Sequence, residues 1–156
     1  MLKYVDTMVT FGEVPDEITL CINISNCPFT CNNCHSPYLR EDVGTELDLY
    51  ELTKLIDKNK GITCVCIMGG DASPLSVDDI AQDIKAYYPE LKVAWYSGAD
   101  IIPKDIYLDN FDFIKVGHYD ESKGPINNRN TNQRMYQIVH YNNVNNKIDI
   151  TNKFWR

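Results

Sequence analysis

Apolar and polar residues alternate with some irregularity over residues 2–11, through Leu2, Tyr4, Thr7 or Val9, and Phe11. That period predicts a half-buried strand, and residues 12–16 then read as a turn. Residues 18–25 are rich in β-branched residues and predict a second strand. Asp48 with Glu51 three positions later predicts a capped helix start. Leu49, Leu52, Leu55 and Ile56 then share one helical face until Gly61 stops the helix. Residues 62–68 form a short apolar run, expected to be a buried strand. Ser76 and Asp79 repeat the cap pattern, with Val77, Ile80, Ala81 and Ile84 at helical spacing and Pro89 as the stop. Residues 92–96 and 111–116 read as two further strands. Strand and helix therefore alternate, which predicts right-handed βαβ crossovers. A complete (βα)₈ barrel takes about 250 residues, more than this chain has. The expected fold is α/β, a single domain over residues 1–156 built as an incomplete, open (βα) barrel with a mostly parallel sheet.

Residues 120–134 break the pattern, being polar, rich in Asn, and without periodicity. A long aperiodic stretch reads as a surface loop, or as a lid or docking loop. Residues 135–141 predict a final strand, followed by a shorter one at 148–150. Asn142, Asn143, Asn145 and Asn146 between them predict a turn. No internal repeat is present.

One stretch carries chemistry: Cys27, Cys31 and Cys34 fall within eight residues, directly after the second predicted strand. Thiolates are soft ligands that select zinc, copper(I) or iron–sulfur clusters. A four-iron cube has four corners, and this loop offers three cysteines, which would leave one iron open to a small molecule. A structural zinc site using Cys27, Cys31, Cys34 and His35 is the competing reading, although zinc sites usually draw ligand pairs from two separated segments. Unliganded burial is a third. The other three cysteines, Cys21, Cys64 and Cys66, sit inside apolar runs and are expected in the core. In parallel α/β folds ligands bind at the carboxyl ends of strands, and the cysteine loop, Gly69-Gly70-Asp71 and Ser97-Gly98 all fall at such ends.

The Cys-x3-Cys-x2-Cys spacing after a strand resembles the signature of the radical S-adenosylmethionine enzymes. Cys34-His35-Ser36-Pro37, Gly69-Gly70-Asp71, Trp95-Tyr96-Ser97-Gly98 and Thr131-Asn132-Gln133-Arg134 follow in the order seen in the anaerobic ribonucleoside-triphosphate reductase activating proteins. The resemblance covers nearly the whole chain. It implies a 4Fe-4S cluster on Cys27, Cys31 and Cys34, and S-adenosylmethionine held by Gly69, Gly70, Asp71, Ser97, Gly98 and His35. No catalytic side chain is implied beyond the cluster ligands. The implied reaction is reductive cleavage of the cofactor, and the implied protein substrate is the anaerobic reductase, which acquires a glycyl radical. A low-potential donor such as flavodoxin or ferredoxin would supply the electron, and Arg129 and Arg134 would help dock the partner. The chain departs from its relatives at Asn33, where glycine or an aromatic is usual, and at Gly117-His118, where Asp-Gly-Pro is frequent.

Composition narrows the alternatives. A formal charge of −7 argues against a nucleic-acid partner, which calls for clustered Lys and Arg. The first residues lack the apolar region of a secretory signal, and no apolar run approaches membrane-spanning length. A cytoplasmic location, where thiols stay reduced, is therefore expected. Two rivals remain: a radical enzyme for another substrate, of the pyruvate formate-lyase activase or deazaguanine synthase type, and a zinc-binding interaction module.

Overall fold

The computed structural model describes residues 1–155. It holds one sheet of eight strands in the order β3-β1-β2-β4-β5-β6-β7-β8. The strands are β1 (Lys3–Thr10), β2 (Thr19–Ile24), β3 (Thr45–Glu46), β4 (Cys64–Met68), β5 (Lys92–Tyr96), β6 (Phe113–Val116), β7 (Arg134–Tyr141) and β8 (Val144–Asp149). Two α-helices accompany them, α1 (Leu49–Lys58) and α2 (Pro74–Tyr87).

This corrects the expected fold class. Four strand pairings are antiparallel, β1 with β2 and β3, and β7 with β6 and β8. Three are parallel, joining β2, β4, β5 and β6. The sheet is mixed with an antiparallel majority, and it is not a mostly parallel (βα) barrel. The reason lies in the connections. A turn at residues 12–16 folds β1 back on β2, and Asn142 and Asn143, at φ of 49° and 62°, close the β7–β8 hairpin. Between β5 and β6 the chain crosses with only a 3₁₀ turn, Leu108–Asn110, where an α-helix was needed for a barrel unit.

Alternation along the central strands divides their side chains between two faces. Leu20, Ile22, Ile24, Val65, Ile67, Val93, Trp95 and Ile114 pack under both helices, against Leu52, Leu55 and Ile56 of α1 and Val77, Ile80, Ala81 and Ile84 of α2. The opposite face carries a second core of Val14, Cys21, Cys64, Cys66, Ala94, Tyr96, Phe113, Met135 and Ile150. The three strand cysteines are thus buried, as their apolar setting implied.

Local signals held at α1, where the Asp48 carboxylate accepts the Glu51 amide at 2.8 Å. Glu51 does not reach back to complete a capping box; its carboxylate accepts the Tyr4 hydroxyl at 2.5 Å. The start of α2 lies earlier than the Ser76 and Asp79 pattern implied, with Ser73 as N-cap and Pro74 in the first turn. Proline is pre-organised for that position. Asn145 and Asn146, expected in a turn, belong to β8, which is almost wholly exposed. Among the described residues no helix is long and apolar enough to cross a membrane.

Candidate functional site

Because β2, β4, β5 and β6 run parallel, their carboxyl ends share one edge of the sheet. The segments leaving those ends enclose a cavity. Its wall includes Cys27, Cys31 and Cys34 after β2, Gly69 and Asp71 after β4, Ser97 and Gly98 after β5, and Gly117 after β6.

The cysteine loop is anchored by its own backbone. Asn26 and Cys27 donate their amides to the carbonyls of Glu41 and Leu39, both at 2.9 Å, and the Arg40 guanidinium donates to the Cys31 carbonyl at 2.9 Å. Asn33 adopts a left-handed φ of 54°, a conformation asparagine tolerates better than most residues. That explains its presence where relatives of the resembled family carry glycine. Its side-chain amide donates to Glu121 at 2.5 Å, tying the loop to the 120–134 segment. The Phe29 ring lies against Gly98, so closely that a methyl group on Gly98 would sit 2.8 Å from Phe29 Cδ2.

Asp71 joins two strand ends. Its carboxylate accepts the Gly98 amide at 3.0 Å and the buried Ser97 hydroxyl. Burial pushes the Asp71 carboxyl above the usual range, and these two hydrogen bonds partly offset it. Burial likewise raises the Cys27 thiol, helped by the negative field of Asp71, Cys34 and Cys31.

Two expected site residues lie elsewhere. Gly70 is absent from the cavity wall, since its φ of 90° turns the α-carbon toward Val77 and Leu2. Adjacent residues in this turn face opposite ways, so only one of the two glycines reaches the cavity. The Gly69 carbonyl accepts the Trp95 indole N–H at 2.7 Å and the Gly70 carbonyl accepts the Ser73 amide at 3.0 Å, so both already have protein partners. His35 lines a neighbouring cavity, its ring edge-on to Tyr119 at 5.0 Å between centroids.

That second cavity shares Asn23, Cys34, Ser36, Met68, Tyr96, Lys115, Tyr119 and Gln133 with the first, so the two are continuous. The first cavity also holds residues to which the sequence assigned no role. Phe29 could have been suspected as the one aromatic in the cysteine loop, and Lys115 as a charge inside the apolar run 113–116. Gln133 lay within the motif already noted. Of the remaining motif residues, Thr131 is buried and bonded to the Gly124 carbonyl at 3.2 Å. Arg134 pairs with Asp149 across the β7–β8 hairpin at 3.7 Å, and Arg129 lies over the Trp155 ring.

All six cysteines are free thiols. Among the described residues no group of three or more His, Cys, Asp or Glu side chains is arranged to hold a metal ion. The loop thiols line one cavity without converging. Their donor chemistry nonetheless suits a soft metal, and no disulfide competes for them. His35, the fourth ligand that a zinc site would need, belongs to the neighbouring wall. No family model, curated protein or solved structure matches this chain.

Proposed function

We propose that this chain is a radical S-adenosylmethionine enzyme. Within that class it is an activase that generates the glycyl radical of an anaerobic ribonucleoside-triphosphate reductase. One observation carries the reading: Cys27, Cys31 and Cys34 line the same cavity as Gly69, Asp71, Ser97 and Gly98, at the shared edge of the parallel strands. Cys27, Cys31 and Cys34 would hold a 4Fe-4S cluster. When bound, that cluster supplies the low-potential electron for reductive cleavage of S-adenosylmethionine, from which the hydrogen-abstracting radical derives.

The chain's own residues bind and orient. Gly69 keeps the wall free of a side chain, where a methyl group would approach the Ile24 carbonyl at 3.2 Å. Asp71 fixes the Ser97-Gly98 turn and puts a carboxyl group in the cavity wall, where it would meet the cationic end of the cofactor. Phe29 seats the cysteine loop on that turn and helps exclude water. The adjoining cavity, lined on the β1 side by Asp6, Thr7 and Met8, would take the incoming protein segment.

The test is anaerobic reconstitution with iron and sulfide, followed by mixing with the cognate reductase, S-adenosylmethionine and dithionite. A doublet EPR signal of a glycyl radical on the reductase is expected. An iron-loaded protein that gives no such signal, yet converts a small molecule in the same preparation, overturns the activase reading. Stoichiometric zinc with no iron uptake overturns the radical class altogether.

A further inference from the structure

The wall shared by the two cavities contains one cation with no counter-ion. Lys115 lies on β6, on the face opposite the helices, with Tyr96 beside it on β5. Its ammonium sits over the Tyr96 ring, 4.6 Å from the centroid. Among the described residues it makes no hydrogen bond and no ion pair. The carboxylates of Glu13 and Asp71 act on it only at longer range. A partly desolvated ammonium held by a ring face alone is costly unless something else meets it. Gln133, also buried, lines both cavities beside it and spends its amide N–H on the Gly117 carbonyl at 3.4 Å.

We propose that Lys115 is a substrate-recognition residue that receives a carboxylate entering through the second cavity. Resting on the activase reading, that carboxylate is an acidic group on the peptide segment carrying the target glycine. Three features point to substrate over cofactor. Lys115 belongs to both cavities, so its charge borders the space beyond the cysteine and glycine wall. The second cavity is walled by residues of β1 and of the 120–134 segment, and Asp71 and Gly98 are not among its lining residues. Its other charged groups are acidic, and Asp6 is already bonded to Asn23 at 2.5 Å. Lys115 is the one lysine or arginine in that wall, and the His35 ring of the same wall already packs edge-on to Tyr119.

The experiment measures binding to the reconstituted full chain by calorimetry. The probes are two N-acetylated, C-amidated peptides, one with aspartate beside glycine and one with asparagine there, together with succinate and succinamide. Lys115→Met removes the charge and keeps the stem; Lys115→Arg keeps the charge, and circular dichroism verifies that both fold. The aspartate peptide should bind on the order of tenfold tighter than its amide. That preference should vanish in Lys115→Met and return with Lys115→Arg. Equal binding of acid and amide, or a preference that survives Lys115→Met, overturns the proposal. So does a loss of S-adenosylmethionine affinity in Lys115→Met as large as the peptide loss, which would place Lys115 in the cofactor wall. A Lys115-dependent preference for succinate with no peptide binding supports the subsite and removes the activase reading. Normal glycyl-radical formation by Lys115→Met without any acid preference removes the subsite alone.

Discussion

The carboxylate of Asp71 accepts the amide of Gly98 at 3.0 Å, fastening the segment after β4 to the turn after β5. The Phe29 ring rests on that same turn, so the position of the cysteine loop depends on it.

Replacing Asp71 by Ala removes the acceptor for both the Gly98 amide and the Ser97 hydroxyl. Unpaired groups of this kind cost about 1–3 kcal/mol. Urea denaturation should show a loss of that size, with iron uptake falling as the loop loosens. Asp71→Asn isolates the charge. The folded-state pKa of Asp71 is raised, so the folded protein holds this proton more tightly than the unfolded chain. Its contribution is fully present below the unfolded value and fades as pH rises through the folded one. Relative to Asp71→Asn, the parent should gain stability as pH falls through the window just above the ordinary carboxylate range. A flat difference across that window would contradict the burial-driven shift.

Gly98→Ala places a methyl group against Phe29 and should cost about 1–3 kcal/mol through overpacking. Phe29→Ala removes the ring that is struck. In the double variant the two losses should be less than additive, as a thermal-denaturation cycle can measure. Full additivity would mean that the ring yields freely.

Gly70→Val tests which glycine faces the ligand. A Cβ there would lie 2.5 Å from Val77 Cγ2 at a φ of 90°, a strain of about 1–3 kcal/mol before any clash. The expected result is a lower denaturation midpoint, with S-adenosylmethionine affinity unchanged in the fraction that folds. Gly69→Ala should weaken cofactor binding, read by titration of the reconstituted protein.

The cysteines divide into two sets. Alanine at Cys27, Cys31 or Cys34 should abolish iron uptake, measured by metal analysis after anaerobic reconstitution. Alanine at the buried Cys64 or Cys66 should leave iron uptake intact and lower stability by about 1 kcal/mol through the lost packing.

The centre of the sheet was legible because buried strands and amphipathic helices write their periods into the chain. The edges were not. β3 has two residues, too few for any period, and β8 exposes both faces, so its Asn and Lys residues carry no alternation. Strand direction marks the hydrophobic pattern only indirectly, through whether one face or both are buried. The order of elements suggested a mostly parallel sheet, while the hairpins at both edges made antiparallel pairing the majority. At the site, the strand ends bring the thiols, Gly69, Asp71, Ser97 and Gly98 into one cavity wall, as their order in the chain suggested. Gly70 and His35 were misplaced because residue type says nothing about which way a turn points a Cα or a ring. Lys115 escaped notice because a single lysine in a strand ordinarily marks the solvent face, and here it marks a cavity.

The contact between Phe29 and Gly98 also sets an order of events in time. Its partners are far apart along the chain, so the seat for the cysteine loop exists only after β4 and β5 have paired. Long-range closures of this kind come late in folding. We expect iron loading to follow assembly of the sheet, so that metal uptake lags the slowest refolding phase. The metal would then stabilise a finished scaffold, unlike a zinc finger, whose fold is nucleated by its ion.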